Sequence, residues 1–233
     1  LVLEKMLPYF SEKFGNAGSK THAFGWIAED AVKSARAQVA QLVNCESNEL
    51  VFTSGATESI NLAINGVFKA YQKKGKHLVL VNTEHKAVMD CCESLLKQGA
   101  ELTYLQVDRE GRIDLQDLKN AIQPSTILVC VMLANNETGV IQDMAAIAEI
   151  VHANNSILLS DATQAIGKIR VDVQDLGVDL MPVSAHKFYG PKGIGALFVR
   201  RKNPRITLFP QILGGGQENN LRSGTLNVPG IVA

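Results

Sequence analysis

Leu180-Met-Pro-Val-Ser-Ala-His-Lys-Phe-Tyr-Gly-Pro-Lys-Gly193, followed by the apolar run Gly195 to Val199, is the stretch that decides the fold. Leu180 to Ser184 reads as a strand, Gly190-Pro191-Lys192-Gly193 as a turn, and Gly195 to Val199 as a second strand. About ten residues separate the two runs, fewer than the dozen or more that a parallel crossover needs. The last strand must therefore run antiparallel to the one before it. Working outward, the earlier apolar runs are Leu50 to Thr53, His77 to Val81, Leu102 to Val107, Ile127 to Leu133 and Ile157 to Ser160. Between them stand segments of helical period: Ile60, Ala63, Ile64, Val67, Phe68 and Tyr71, and later Met144, Ile147, Ala148 and Val151. The pattern predicts an α/β protein with a mostly parallel seven-stranded sheet, one antiparallel strand and helices on both faces. Ligands of such sheets collect at the carboxyl ends of the parallel strands.

Composition narrows the partners. The chain has 233 residues, 46% of them hydrophobic and 20% charged, as expected of one globular unit over residues 1–233. Its 23 basic and 23 acidic side chains cancel, so no field favours a nucleic acid or an anionic membrane. No apolar run approaches the ~20 residues of a membrane span, and Leu1-Val2-Leu3-Glu4-Lys5 lacks the order of a signal peptide. A cytoplasmic location is the expectation. There is no internal repeat and no Pro/Ser-rich linker. The four cysteines, Cys45, Cys91, Cys92 and Cys130, form no Cys-x-x-Cys pair and have no histidine at zinc spacing, so they read as reduced thiols and no metal site is expected. Cys130, inside an apolar run, reads as a small buried hydrophobe.

The strand ends carry the polar residues. Leu50-Val-Phe-Thr-Ser-Gly-Ala-Thr-Glu-Ser59 is a strand, a small-residue turn at Gly55 and Ala56, and a helix starting near Thr57. Amides at such a start can cradle a phosphate, although an ordinary capped helix would look the same. It is not a Walker loop, because the Gly-Lys-Ser/Thr ending is missing. Asp161 ends Ile157-Leu-Leu-Ser-Asp161, where a desolvated carboxylate needs a cation or donors; a helix N-cap is the competing reading. A protonated pyridine nitrogen would supply that cation, and Gln164 could point at the same ligand. Ser184, His186 and Lys187 end another strand; a lysine there, next to an imidazole and near apolar groups, has its ammonium form destabilised, which suits a nucleophilic amine, and a solvated surface lysine is the competing reading. Lys192 reads as an exposed turn residue. His85, in Val81-Asn-Thr-Glu-His-Lys86, can stack on a flat ring and relay protons, or be a loop histidine. Asn136, in Leu133-Ala-Asn-Asn-Glu-Thr-Gly139, can donate to a ligand or bond its own backbone.

Seven segments, in order, resemble cysteine desulfurases of the NifS/IscS type, within the class V aminotransferase group of fold type I enzymes that use pyridoxal 5′-phosphate (PLP). They are Gly15-Asn-Ala-Gly-Ser-Lys-Thr-His22, Ser54-Gly-Ala-Thr-Glu-Ser59, Thr83-Glu-His-Lys-Ala87, Asn135-Asn-Glu-Thr-Gly-Val140, Asp161-Ala-Thr-Gln164, Ser184-Ala-His-Lys187 and Arg222-Ser-Gly-Thr225. The resemblance implies the fold type I PLP-binding large domain, with Lys187 forming the Schiff base and carrying protons. Asp161 would hold the ring nitrogen, His85 would stack on the ring with an acid/base role, Gln164 would donate to the ring 3-oxygen, and Asn136 would lie near ring and substrate. Ala56, Thr57, Ser184 and His186 match phosphate-binding positions. Thr225 matches a residue that reaches the phosphate of a partner subunit, which implies a homodimer with shared active sites. The implied reaction takes L-cysteine to L-alanine, leaving sulfur as an enzyme persulfide for an iron–sulfur scaffold, another sulfur-acceptor protein or tRNA thiolation.

The same resemblance implies a chain shortened at both ends, without the C-terminal small domain that carries the nucleophilic cysteine and the arginine for the substrate carboxylate. None of the four cysteines matches that nucleophile. Another class V enzyme, such as a selenocysteine lyase or a small amino acid aminotransferase, would share the cofactor residues. A non-catalytic scaffold of the same fold is the reading from a different class.

Overall fold

Seven strands form in the computed structural model, which describes residues 1–233: β1 (Leu50–Thr53), β2 (His77–Val81), β3 (Glu101–Leu105), β4 (Thr126–Cys130), β5 (Ile157–Leu159), β6 (Leu180–Ser184) and β7 (Gly195–Val199). They form one sheet in the order β1-β7-β6-β5-β4-β2-β3. The strand β7 pairs antiparallel with both β1 and β6, and every other pairing is parallel. The short connection after Ser184 thus does what its length requires. Regular pairing stops earlier than the apolar runs suggest, at Leu105, Cys130 and Leu159. The runs continue because Val131 and Leu133 still donate to Leu159 and Asp161, each at 3.0 Å, and remain buried beyond the regular strand.

Helices α1 (Val2–Met6), α2 (Pro8–Ser11) and α3 (Ala23–Leu42) precede the sheet. The crossovers contain α4 (Ala56–Tyr71), α5 (Lys86–Leu95), α6 (Leu115–Ala121), α7 (Met144–Ala153) and α8 (Val173–Leu176), and α9 (Val228–Ile231) closes the chain. Successive strand residues point to opposite faces, and each face has its own core. Leu78, Leu80, Leu128 and Cys130 pack with Ile60, Ile64 and Val67 of α4 and Val88 and Leu95 of α5. Val79, Val81, Val129 and Val131 pack with Val32 and Ala35 of α3 and Ile147 and Val151 of α7. The sheet is therefore a wall between two apolar layers, and its polar groups can meet only at its ends. No helix is long and apolar enough to cross a membrane.

At the amino ends of the parallel strands, His77 is buried between two hydroxyls, with Nδ1 2.7 Å from Thr126 Oγ1 and Nε2 2.9 Å from Thr103 Oγ1. Burial holds this imidazole below the ordinary histidine range, against a smaller opposing effect of Glu101. The unfolded chain then binds the proton more readily. This contribution to stability is present above about pH 6.5 and is lost as pH falls toward the lower folded-state value. We expect urea unfolding to show a larger loss of stability between about pH 7.5 and 5.5 for the wild type than for His77→Gln; equal losses would contradict the assignment.

Candidate active site

The carboxyl ends of the parallel strands border a cleft of about 450 Å³. Ala56 and Thr57 reach it from the turn after β1, His85 from the end of β2, and Asn136 from the loop after β4. Asp161 and Gln164 enter from the end of β5, and Ser184, His186 and Lys187 from the end of β6. Residues up to about 130 positions apart in sequence are gathered here because parallel strands deliver all their carboxyl ends to one edge.

One side of the cleft is built for an anion. The helix α4 begins at Ala56, directly after Gly55, whose φ of 150° and ψ of −177° are open to glycine alone. No side chain caps this helix, so its first amides are left to the cleft, and the ordinary-cap reading falls away. Behind the turn, β7 comes very close: a Cβ on Gly195 would lie 2.6 Å from Gly55 Cα. The buried Ser184 hydroxyl lies 2.8 Å from His186 Nδ1 and borders Gly55. Glu58 braces the turn, accepting the Ser54 N–H at 2.8 Å and the Arg222 Nε at 2.7 Å. Burial works against its charge, but Arg222 and Ser54 outweigh burial and hold the carboxyl below its ordinary range.

The other side carries the buried carboxyl group of Asp161 with polar side chains around it. Asp161 is only 4% exposed, and burial pushes its carboxyl above the ordinary range, opposed by Thr163 and by the nearby His85. Its Oδ1 accepts the Thr163 N–H at 2.9 Å, which starts a run of turns rather than a helix. No cationic side chain forms an ion pair with it. His85 caps α5, its Nδ1 accepting the Ala87 N–H at 3.1 Å, so its Nε2 is the nitrogen left to carry a proton. Gln164 Oε1 takes the Lys168 ammonium at 2.6 Å, which leaves its NH₂ group for a ligand. The loop asparagine that bonds its own backbone is Asn135, accepting from Glu137 and Thr138, while Asn136 lines the cleft.

Two lysines stand differently from expectation. The amine at Lys187 is not buried: the side chain is exposed, because it ends the single turn Ala185–Lys187 on the open rim of the cleft. Lys192 is an exposed turn residue as read, but it also lines the cleft, so two lysines face the site. Met132 and Ala134, which form part of the lining, carry no polar signal that sequence reading could have used. Thr225 does not line this cleft; it stands exposed beyond Arg222. A neighbouring polar cleft of about 820 Å³ shares His85 and Asn136 with the first.

The whole of this arrangement, residues 1–233, matches the family model described as aminotransferase class-V. The chain belongs to that family. Within it, the chain is 57% identical over 231 residues to a cysteine desulfurase IscS of Anaeromyxobacter sp. (strain Fw109-5), and 57% identical to one of Neisseria meningitidis serogroup A. Each alignment covers 99% of this chain and 57% of the relative, so the chain spans little more than half the length of the curated relatives it matches. Among solved structures it is similar to a NifS-like protein, with a TM-score of 0.95, 40% identity, and coverage of 99% of this chain and 63% of that one. It is similar also to a structure titled SspA in complex with cysteine, with a TM-score of 0.94, 40% identity, and coverage of 99% and 66%.

The close approach at Gly195 yields a direct test. Gly195→Ala places a methyl group against the Gly55 backbone and 2.6 Å from the Val183 carbonyl, so the turn must shift. We expect a loss of about 1–3 kcal/mol in stability. Inorganic phosphate should raise the melting temperature of the wild type and leave that of the variant unchanged. A variant that phosphate still stabilises equally would show that the turn is not the anion site.

Proposed function

We propose that the protein binds PLP in this cleft and acts as a cysteine desulfurase, taking L-cysteine to L-alanine and passing on the sulfur. The observation that carries the reading is the pairing, in one cleft, of an uncapped helix start with a buried carboxylate that has no cation of its own. These are complementary to the phosphate and the protonated pyridine nitrogen of one molecule, and Lys187 lines the same cleft to meet its aldehyde. The class-V aminotransferases and the IscS relatives are PLP enzymes, which supports the same cofactor here.

Each residue would then have a definite task. The amides of Ala56 and Thr57, with the hydroxyls of Thr57 and Ser184 and the ring of His186, would hold the phosphate. Asp161 would bind the ring nitrogen and keep it protonated, and Gln164 would donate from its NH₂ group. PLP, when bound, supplies an electron sink that acidifies the α-hydrogen of an amino acid. Lys187, exposed on the rim, would carry the proton taken from that carbon, and His85 would present its Nε2 proton on the ring face. Asn136 would lie beside the substrate.

The acceptor of the sulfur must be a thiolate. Burial pushes the thiols of Cys45 and Cys91 up to about 12, aided by Glu49 and Glu46 at Cys45 and by Cys92 at Cys91. Cys130 is raised well above the ordinary range by its hydrogen bond with Cys92 and by burial. None of these three is a nucleophile at neutral pH, Cys92 is fully buried, and no cysteine lines the cleft, so none of the four is placed to accept the sulfur. The IscS names of the relatives and the cysteine complex titled SspA favour cysteine over the other class V substrates and over a scaffold without chemistry. A homodimer in which Thr225 reaches a partner's phosphate, and a sulfur-acceptor or iron–sulfur scaffold protein as partner, complete the proposal.

Borohydride treatment after incubation with PLP should fix the cofactor to Lys187, and Lys187→Ala should abolish that adduct. Asp161→Asn should lower alanine and sulfide formation from cysteine by at least about a hundredfold in the full-length protein. An adduct at Lys192 instead, or full activity in the Asp161 variant, would overturn the assignment.

A further inference from the structure

Next to the cleft lies a carboxyl group that the proposed chemistry does not use. Glu84 immediately precedes His85, and only 8% of it is exposed. Its Oε1 accepts the Met132 N–H at 2.6 Å, while its Oε2 is buried with no hydrogen-bond partner. No ion pair in the chain includes it. Met132 lines the cleft, and the next amide, Leu133 N–H, donates to Asp161 O at 3.0 Å. Glu84 therefore ties the end of β2 to the end of β4, which is tied in turn to the end of β5.

The groups that face Glu84 are the Met132 amide, the Asp161 carboxyl and the Cys130 thiol, with His85 next along the chain. Burial pushes the Glu84 carboxyl up to about 8, Met132 N–H opposes this, and Asp161 adds to it. Two neighbouring buried acids that share one low-dielectric site do not both ionise easily. Asp161 is better placed to take the charge, because it has the Thr163 N–H and His85 in its favour, whereas Glu84 has a single amide.

We infer that Glu84 is a protonated acid at neutral pH and a positioning residue, fixing the Met132 and His85 ends of the cleft while leaving the single negative charge to Asp161. The meaning of that charge, a match for one ring cation, rests on the PLP reading; the protonation of Glu84 is a property of the protein without ligand. A glutamine would keep both the shape and the neutrality, whereas an alanine would leave the Met132 amide unpaired.

Infrared titration of the ligand-free protein tests this without PLP. The wild type should show a protonated-carboxyl band at pH 7 that fades with a midpoint of about 8, and Glu84→Gln should remove it. Asp161→Asn should move the midpoint to lower pH, a second check should Glu84→Gln fail to fold. Absence of the band in the wild type, its survival in Glu84→Gln, or an unmoved midpoint in Asp161→Asn would overturn the inference. In PLP binding, Glu84→Ala should weaken affinity about tenfold and Glu84→Gln should recover most of it; equal weakening by both variants would also overturn it. A protein that shows the band but takes up no PLP would refute the functional reading and leave the protonated Glu84 standing.

Discussion

A carboxyl group buried at the end of β5 with no ion-pair partner is the constraint on which the site depends. Asp161 is 4% exposed, and one oxygen is spent on the Thr163 amide. Leaving the remaining charge unmatched is unfavourable, so the fold maintains a standing demand for a positive partner from outside. The other features of the cleft restrict which cation fits there. The uncapped helix start at Ala56 offers amides to an anion in the same cleft, whose volume of about 450 Å³ has room for one substituted ring.

The sheet makes this arrangement rigid. Residues on the two faces of β2 and β4 are fully buried in separate cores, so the strand ends cannot drift relative to one another. The antiparallel β7 adds a second constraint, because it brings the Gly195 backbone against Gly55 and fixes the anion-binding turn from behind. Lys187 is the exception. It stands exposed on a single turn at the rim, outside both cores.

Much of this was legible in the sequence, for reasons that differ between residues. The antiparallel β7 followed from a loop too short for a crossover, and the gathering of Asp161, His85 and Ser184 followed from their places after apolar runs. The exposure of Lys187 was not legible, since position after a strand does not say whether a side chain turns inward or stands on the rim. Glu84 was hidden for the opposite reason: between Thr83 and His85 it reads as a loop residue, and only the fold brings the Met132 amide to it. The apolar lining at Met132 and Ala134 was invisible because residues buried in a core and residues facing a ligand share one composition. Thr225 stands exposed outside the cleft, which its place three residues after Arg222 did not reveal.

The central claim is that one aromatic cation is gripped by Asp161 at its nitrogen and met by Lys187 at its far end. A crystal structure of the protein grown with PLP measures both at once. The account predicts the ring nitrogen at about 2.7–2.9 Å from an Asp161 carboxylate oxygen, with the Lys187 nitrogen bonded to the former aldehyde carbon and the phosphate on the amides of Ala56 and Thr57. A ring whose nitrogen faces solvent, or whose aldehyde carbon is joined to Lys192, would contradict it.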